Sequence, residues 1–289
     1  MPDQRPRTAF IGVGQMGSAM ATHLLDPPGT LTVCDPSDDA TRPLVERGAA
    51  RASTPAEAAE DATVISLMVL DDEQVRAVVD GPDGVLRSAA PGSVVAIHST
   101  VRAETASDMA ALAQPHGVHV VDAPVSGGFM GAHAGTLATM VGGSDEAVAI
   151  AKPSFAAWAD LIMHLGPVGA GTKAKLARNL MHFVSFTAAS EAQRLAEAAG
   201  IDLRKLAKVV RHTDAITGGA GSIMLRDTTA PMTPEDDWWT TLLHVRRLGE
   251  KDLDLALELG AELGVDLPLG RVARERFGPG LGFDDGGAR

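Results

Sequence analysis

Short apolar runs rich in β-branched residues alternate with alanine-rich stretches up to about residue 165. Such alternation predicts a parallel sheet whose two faces are covered by helices. Strands are predicted in the runs TAFIGVG, TLTVCD, ATVISLMV, SVVAIHS, VHVVDAPV and TLATMVGG. Crossover helices are predicted over residues 15–25, 38–48, 55–60, 71–80 and 101–114. The pattern is typical of an α/β domain with a doubly wound sheet.

Beyond residue 168 the pattern becomes helical. A stretch without proline or glycine runs from Thr172 to Ala199, and apolar or small side chains recur in it at helical spacing, namely Leu176, Leu180, Phe183, Val184 and Thr187. A helix of about 28 residues would extend on the order of 40 Å. Further helices are predicted over 202–212, 236–248 and 250–263, and the tail GPGLGFDDGGAR is predicted to be weakly structured. We therefore predict two domains, residues 1–167 and an all-helical domain of residues 168–289.

Composition and charge restrict the partners of the chain. Its 289 residues are 21% charged and 45% hydrophobic, which is typical of a globular protein. The net charge of −12 disfavours nucleic-acid binding, whereas a small anionic substrate can still be held by local cations or backbone N–H groups. No window approaches the roughly 18 apolar residues of a membrane span. The polar start MPDQRPR lacks an export signal, so we expect a cytoplasmic protein.

The segment TAFIGVGQMGSAM places Gly12, Gly14 and Gly17 at GxGxxG spacing, between an apolar strand and a helical stretch. These glycines allow a tight turn, approach of a pyrophosphate, and close packing of helix on strand. Asp35 ends the second strand, where a carboxylate can accept the ribose hydroxyls of NAD and would repel the 2′-phosphate of NADP. We predict a Rossmann-type domain that binds NAD, with NADP less favoured. The alternative is a structural glycine turn, with Asp35 only beginning a turn before Pro36.

Four blocks of the sequence together resemble the β-hydroxyacid dehydrogenase family, which includes 3-hydroxyisobutyrate and tartronate semialdehyde dehydrogenases and is related to 6-phosphogluconate dehydrogenase. The blocks stand in the family's order and cover nearly the whole chain: FIGVGQMGSAMATHL, DAPVSGGFMGAHAGTLATMVGG, GAGTKAKLARN and KDLDLAL. The resemblance implies a Rossmann-type domain followed by a helical domain. It also implies hydride transfer between a small 3-hydroxy acid and NAD.

The block GAGTKAKLARN contains two lysines, and the resemblance distinguishes them. The family pattern GxGxxxKxxxN makes Lys175 the catalytic lysine and Asn179 its companion, and leaves Lys173 at a variable position. Residues four apart share a helix face, whereas Lys173 lies roughly 200° around the helix from Lys175 and should extend toward water. A lysine has an ordinary pKa of about 10.4, so burial must lower it before Lys175 can act as a base. The alternative is that Lys175 is an ordinary surface lysine near the helix start.

The block DAPVSGG resembles the family's grip on the substrate carboxylate. The resemblance assigns this role to Ser126, Gly127 and Gly128, whose consecutive N–H groups and small hydroxyl would form an anion site. Without the resemblance, the block is equally well explained as a loop between sheet and helix. Asp122 and Pro124 are interpreted as structural.

The remaining cofactor residues are also implied by the resemblance and lie near strand ends or helix starts. The expected cofactor-binding set comprises Gly12, Val13, Gly14, Gln15, Met16, Gly17, Asp35, Met68, Val69, Leu70, Gln74, Thr100 and Lys251. The carboxyl ends of parallel strands are where such ligands bind. The family commonly has Leu-Pro where this chain has Val69 and Leu70, which suggests a less rigid loop. Lys251 is also expected to reach the substrate, unless it is a helix-surface charge.

Other positions leave the substrate open. His244 stands where the family often has phenylalanine, and it either hydrogen-bonds a polar substrate tail or lies in solvent. Trp238 and Trp239 line the substrate pocket or belong to a core or an interface. His116 and His119 lack a third ligand in a matching pattern, so we expect no metal site.

Oligomeric state and rival functions complete the expectations. The apolar face of the long helix predicts a homodimer or homotetramer. One rival function is an imine reductase-like enzyme, a group that resembles the family but replaces the lysine; this chain retains Lys175 and has no tyrosine. The other is a non-catalytic dinucleotide-binding module. The single cysteine, Cys34, is expected to be a buried and inert thiol.

Overall fold

The computed structural model describes residues 6–27 and 29–283. Its strands are β1 (Thr8–Ile11), β2 (Leu31–Cys34), β3 (Ala50–Arg51), β4 (Val64–Leu67), β5 (Val94–Ile97), β6 (His119–Asp122), β7 (Val125–Ser126), β8 (Leu137–Val141) and β9 (Ala159–His164). Its α-helices are α1 (Gln15–Thr22), α2 (Asp38–Val45), α3 (Pro55–Ala59), α4 (Asp72–Asp80), α5 (Ala103–Ala113), α6 (Gly128–Ala134), α7 (Asp145–Phe155), α8 (Ala170–Ala198), α9 (Leu203–Thr217), α10 (Trp239–Glu262) and α11 (Pro268–Gly280). Among the residues described, no helix is long and apolar enough to cross a membrane.

Six strands form a parallel sheet in the order β3-β2-β1-β4-β5-β6. The strand order reverses at β1, which pairs with both β2 and β4, and doubly wound sheets bind ligands beyond such a point. Alternate side chains of β1 enter two different apolar cores, because Phe10 lies in one and Ala9 and Ile11 lie in the other. All residues of β4 and β5 are buried, as expected when helices cover both faces. The predicted Rossmann-type sheet is confirmed.

The prediction that TLATMVGG extends the parallel sheet is wrong. This run forms β8 in a separate three-stranded sheet, antiparallel to β7 and parallel to β9. The backbone N–H and C=O groups of Asp122 and Gly142 pair across the two segments, which run in opposite directions. The apolar pattern also fails to predict β3, which has two residues, and β9, which is mostly exposed.

Side-chain caps define where several helices of the first domain begin. In α2, α3, α4 and α7, the capping side chain accepts a hydrogen bond from the backbone N–H three residues later; the caps are Ser37, Thr54, Asp71 and Ser144. Helix α1 differs, because Gly14 precedes it and provides no side-chain cap. Within the described part of the chain, no capping side chain accepts from the first N–H groups of α1, at the helix end that carries partial positive charge.

The described residues divide into two compact units between Arg178 and Asn179, within α8. In the second unit α10 is one continuous helix, so the prediction of separate helices over 236–248 and 250–263 is wrong. Gly249 lies inside α10, and a Cβ there would come within 2.4 Å of the Phe277 ring. This glycine allows close packing of α10 on α11 and does not end the helix.

The prediction of a weakly structured tail is wrong for the part of the tail that is described. Helix α11 continues to Gly280, and the side chains of Leu281 and Phe283 are buried in the small core of the second unit. The rings of Trp239 and Phe283 lie 5.1 Å apart, centroid to centroid, so Trp239 packs against this core. Trp238 is more exposed. Residues 284–289 lie outside the described part of the chain.

Cys34 is buried at the end of β2, as predicted from its apolar surroundings. Burial raises the pKa of its thiol to about 11, and the neighbouring Asp35 carboxylate contributes in the same direction. Nucleophilic and oxidative chemistry of cysteine requires the thiolate, which is scarce at neutral pH when the pKa is raised. The thiol therefore acts as a small apolar side chain.

His98 follows β5 and is 1% exposed. Its Nδ1 lies 2.8 Å from the Ala123 carbonyl oxygen and its Nε2 lies 3.1 Å from Ser66 Oγ. A carbonyl oxygen can only accept, so Nδ1 donates to it and the Ser66 hydroxyl donates to Nε2. The rings of Phe155 and Trp158 pack edge-on against the imidazole. Burial lowers the pKa of His98 to about 4, which keeps the ring neutral at neutral pH.

Acidification should destabilise the fold through His98. The ordinary pKa of 6.5 applies in the unfolded chain, so the unfolded state binds the proton first as the pH falls toward 4. Between pH 7 and pH 5 the free energy of unfolding should therefore fall by about 2 kcal/mol more in the wild type than in His98→Phe. Urea unfolding at the two pH values measures this difference. The same pH dependence in both proteins would contradict the role given to His98.

Candidate functional site

The glycine loop joins β1 to α1, and two of its glycines are required by the fold itself. Gly12 has a φ of 86°, and a Cβ on it would lie 2.4 Å from the Met68 carbonyl oxygen. A Cβ on Gly17 would lie 2.0 Å from the Gly12 carbonyl oxygen. Gly14 differs, since its φ is −61° and no heavy atom lies within 4 Å of its ideal Cβ position. The space above Gly14 is open, so packing within the protein does not explain this glycine.

Asp35 lies across from the glycine loop, just after β2. Its Oδ2 accepts a hydrogen bond from Val13 N–H and its Oδ1 accepts one from Ser37 N–H, both at 2.9 Å. These two hydrogen bonds hold the half-buried carboxylate in place beside the loop. Gln15 is exposed and Met16 is half-buried in the first turn of α1.

Of the other predicted cofactor residues, Met68, Val69, Leu70 and Thr100 lie in the loops that follow β4 and β5, and Gln74 lies in the first turn of α4. Met68 and Val69 are half-buried, whereas Leu70, Gln74 and Thr100 are exposed. The Leu70 N–H donates to Gln74 Oε1 at 3.0 Å. A proline at position 70 could not make this bond, because it has no N–H group. The glutamine side chain thus restrains a loop in which the family commonly has proline.

Lys175 is buried in the second turn of α8, with 9% of its surface exposed. Its Nζ donates a hydrogen bond of 2.7 Å to the carbonyl oxygen of Val125, the residue before Ser126. Burial lowers the pKa of Lys175, and the positive charge of Arg178 lowers it further. Lys173 is exposed, as its place on the helix predicts. The two lysines therefore differ in exposure as well as in position.

The first turn of α8 is anchored by Asp122, whose side chain is fully buried at the end of β6. The Gly169 N–H donates to its Oδ1 at 2.7 Å, and the Thr172 N–H donates to its Oδ2 at 2.6 Å. A Cβ on Gly171 would lie 2.2 Å from the Met140 carbonyl oxygen, so this turn packs directly on β8. The sequence pattern indicates a structural role for Asp122 but does not predict its link to the helix that carries Lys175. The only signal in the sequence is an aspartate at a strand end.

Ser126 ends β7, and Gly127 and Gly128 carry the chain into α6. Both glycines have positive φ values, 134° and 64°. A Cβ on Gly127 would come within 2.8 Å of the Leu137 side chain, whereas the space beside Gly128 is open. The serine is half-buried and both glycines are exposed. The structure thus brings this segment next to Lys175, through the Val125 carbonyl.

Asn179, His244 and Lys251 belong to the second unit. Asn179 is half-buried in α8, and His244 is exposed on α10. Lys251 is also exposed on α10, and its Nζ lies 2.9 Å from Asp252 Oδ1. Over the described ranges, no cluster of three or more His, Cys, Asp or Glu side chains could hold a metal ion.

Two family models match the chain, and together they cover almost all of it. Residues 7–166 match the NAD binding domain of 6-phosphogluconate dehydrogenase. Residues 169–281 match the NAD-binding domain of NADP-dependent 3-hydroxyisobutyrate dehydrogenase. The two matches meet at the start of α8, directly before the turn that Asp122 anchors.

Individual relatives agree with these matches. An uncharacterized oxidoreductase of Mycobacterium tuberculosis is 53% identical, covering 96% of this chain and 94% of that protein. The crystal structure of a putative oxidoreductase from Mycobacterium avium has a TM-score of 0.91 and 49% identity, covering 96% of this chain and 99% of that one. A structure of M. tuberculosis 3-hydroxyisobutyrate dehydrogenase with L-serine has a TM-score of 0.67 and 31% identity, covering 97% of both chains.

Replacing Asp122, the buried carboxylate at the start of α8, should lower the free energy of unfolding far more than replacing an exposed helix cap. Asp122→Asn keeps the shape but turns an amide N–H₂ group toward one of the two helix N–H groups, so we expect a loss of roughly 2–4 kcal/mol. Asp202→Asn is the matched control, because Asp202 caps α9 by accepting from two N–H groups while exposed to solvent. Asparagine is a good cap there, and the cost should stay within about 0.5 kcal/mol. Urea unfolding compares the variants; equal losses would contradict the anchoring role of Asp122.

Proposed function

Because the chain belongs to the β-hydroxyacid dehydrogenase family, and is an oxidoreductase of that family, we propose that it transfers a hydride between a small 3-hydroxy acid and NAD. The proposed substrate class is that of 3-hydroxyisobutyrate. One observation carries the proposal: Lys175 is buried, has a lowered pKa and directs its Nζ to the carbonyl oxygen that precedes Ser126. This geometry supports the proposal that the amine of Lys175 transfers a proton and that the neighbouring segment holds a carboxylate.

The proposed role of Lys175 is that of general acid and base. Oxidation of an alcohol requires a base for the hydroxyl proton while a hydride leaves the adjacent carbon. NAD, when bound, supplies the hydride acceptor. Burial favours the neutral amine, so Lys175 Nζ can take the hydroxyl proton, and in the reverse direction the ammonium returns it. Asn179, four residues later on α8, is proposed to orient the lysine and the substrate.

The glycine loop and Asp35 fit a dinucleotide. The open space above Gly14 is what close approach of a pyrophosphate requires, and α1 begins without a side-chain cap. Asp35 is held beside this loop by two backbone N–H groups. At this position its carboxylate oxygens would accept hydrogen bonds from the ribose hydroxyls, and its negative charge would repel a 2′-phosphate. These features support NAD over NADP. The residues after β4 and β5 are proposed to hold the nicotinamide half: Met68, Val69, Leu70, Gln74 and Thr100.

The substrate carboxylate is proposed to lie on Ser126, Gly127 and Gly128, where the backbone turns through positive φ values. Lys251 and His244 are proposed as further contacts of cofactor and substrate. The solved structure of M. tuberculosis 3-hydroxyisobutyrate dehydrogenase includes L-serine. L-serine and 3-hydroxyisobutyrate each carry a hydroxyl on C3 and a carboxylate. A substrate panel should therefore contain both, together with other 3-hydroxy acids and cyclic imines.

The two lysines of α8 provide the test of this function. With NAD and a 3-hydroxy acid, Lys175→Ala should lower kcat by about 10²- to 10⁴-fold, because the proton acceptor is lost. The wild-type rate should rise with pH through the lowered pKa of the lysine. Lys173→Ala, two residues away and exposed, should stay within about twofold of wild type, since it removes only a solvated charge. The measurement is nicotinamide absorbance, with NAD and NADP compared in parallel.

Three results would separate the alternatives. Full turnover by Lys175→Ala would refute the lysine mechanism. Reduction of imines without oxidation of hydroxy acids would favour an imine reductase-like enzyme. Tight NAD binding without turnover on any member of the panel would favour a non-catalytic dinucleotide-binding module.

We also propose that the second unit assembles two or more chains. Its part of α8 exposes Leu180, Phe183, Val184 and Phe186, of which Leu180 is 69% exposed. A cluster of large exposed apolar side chains on one helix favours an interaction site. Light scattering should therefore give a mass of at least twice 29.9 kDa. Phe183→Glu should shift the protein toward the monomer and Gln193→Glu on the same helix should not; a monomeric wild type would contradict the proposal.

A further inference from the structure

The two loops at the carboxyl ends of β4 and β5 are joined at their base by one side chain, that of Ser99. Its hydroxyl accepts a hydrogen bond from Val69 N–H at 2.9 Å and donates one to Val69 C=O at 2.7 Å. Ser99 is buried and stands next to Thr100. Both backbone polar groups of Val69 are thus satisfied by a residue from the neighbouring loop, which restrains the peptide on both sides of Val69.

The same two loops are joined again at their far ends, where α4 and α5 begin. Asp72, the first residue of α4, accepts a hydrogen bond from Arg102 N–H at 3.0 Å and another from the Thr105 hydroxyl. The Thr105 hydrogen bond is the main cause of the lowered pKa of Asp72, because it stabilises the ionised form of this carboxylate. Thr100 lies between the two connections, with Ser99 before it and Arg102 after it.

The loop after β4 is therefore restrained without proline. Leu70 N–H is held by Gln74 Oε1, Val69 is held by Ser99, and Met68 N–H donates to the Ile11 carbonyl oxygen at 2.9 Å. Each of three successive backbone N–H groups thus has a defined acceptor. Two of the three acceptors are side chains, which makes the loop conformation depend on particular residues.

We propose that Ser99 and Asp72 are positioning residues, which hold the loops after β4 and β5 as one unit and so shape the site for the nicotinamide half of the cofactor. This inference rests on the proposed function, because it takes Met68, Val69, Leu70 and Thr100 as the nicotinamide-side contacts. Neither Ser99 nor Asp72 needs to touch the cofactor. Their effect reaches it through the backbone of the residues they restrain.

The adenosine side of the site has a separate support, so the inference makes a selective prediction. Asp35 and the glycine loop are held by hydrogen bonds between the regions after β1 and β2, without Ser99 or Asp72. Loosening the loops after β4 and β5 should therefore lower the affinity for NADH. The affinity for ADP-ribose, which lacks the nicotinamide, should be unaffected. A residue that only stabilised the domain would weaken both ligands alike or neither.

The test compares Ser99→Ala with Ser93→Ala, a serine at the other end of β5. Ser93 is also buried, but among the described residues its hydroxyl has no hydrogen-bond partner. Ser99→Ala should weaken NADH binding about five- to tenfold through the loss of two hydrogen bonds, with ADP-ribose affinity within about twofold of wild type. Ser93→Ala should change neither affinity by more than about twofold. Nicotinamide fluorescence measures the affinity for NADH, and titration calorimetry measures the affinity for ADP-ribose.

Asp72→Ala tests the far connection on its own and keeps the inference falsifiable if Ser99→Ala fails to fold. Like Ser99→Ala, this substitution should lower the affinity for NADH more than the affinity for ADP-ribose. Unchanged affinity ratios in the folded variants would overturn this inference and leave the proposed function standing. A wild-type protein that binds neither NADH nor NADPH would overturn both.

Discussion

One buried carboxylate holds two backbone N–H groups at the start of α8, and the position of the lysine depends on it. Taking a carboxylate out of water costs several kcal/mol unless hydrogen bonds and favourable charge compensate. For Asp122 the compensation comes from the Gly169 and Thr172 N–H groups and from the positive end of the helix dipole. The buried carboxylate at the end of β6 is therefore stable only with the start of α8 in place, and the start of α8 is held by that carboxylate. Lys175 lies one turn beyond Thr172, so this anchor determines where its side chain begins.

A similar principle applies at the carboxyl ends of the strands of the large sheet. There, the loops that follow neighbouring strands are connected to one another. Asp35 holds Val13, the Gly12 backbone lies against Met68, and Ser99 holds Val69. These contacts continue across the region where the strand order reverses. An edge built in this way keeps its shape before a ligand arrives, and such preorganisation reduces the conformational entropy that binding would otherwise cost.

The sequence was most informative where a local pattern determines the structure. The parallel sheet follows from apolar runs buried on both faces, and the contrast between Lys173 and Lys175 follows from helix periodicity together with the family motif. It was least informative where pairing or packing is decided by distant residues. No local signal distinguishes β8 from a strand of the main sheet, because only its partners β7 and β9 make the difference. Likewise, Gly249 resembles a helix end until the Phe277 ring is known to pack against it. Asp122 is hidden for the same reason, since the first N–H group that it holds, that of Gly169, lies 47 residues later in the chain.

The choice of a carbonyl oxygen as the partner of Lys175 has a chemical consequence. A carboxylate in that place would stabilise the ammonium and raise the pKa of the lysine. A carbonyl oxygen accepts a hydrogen bond from the ammonium and from the neutral amine alike, so the 2.7 Å bond to Val125 can orient Nζ in both protonation states. The two influences that shift the pKa, burial and the charge of Arg178, both act downward. Orientation and proton affinity are thus controlled by different groups, which is compatible with the proton transfer proposed for Lys175.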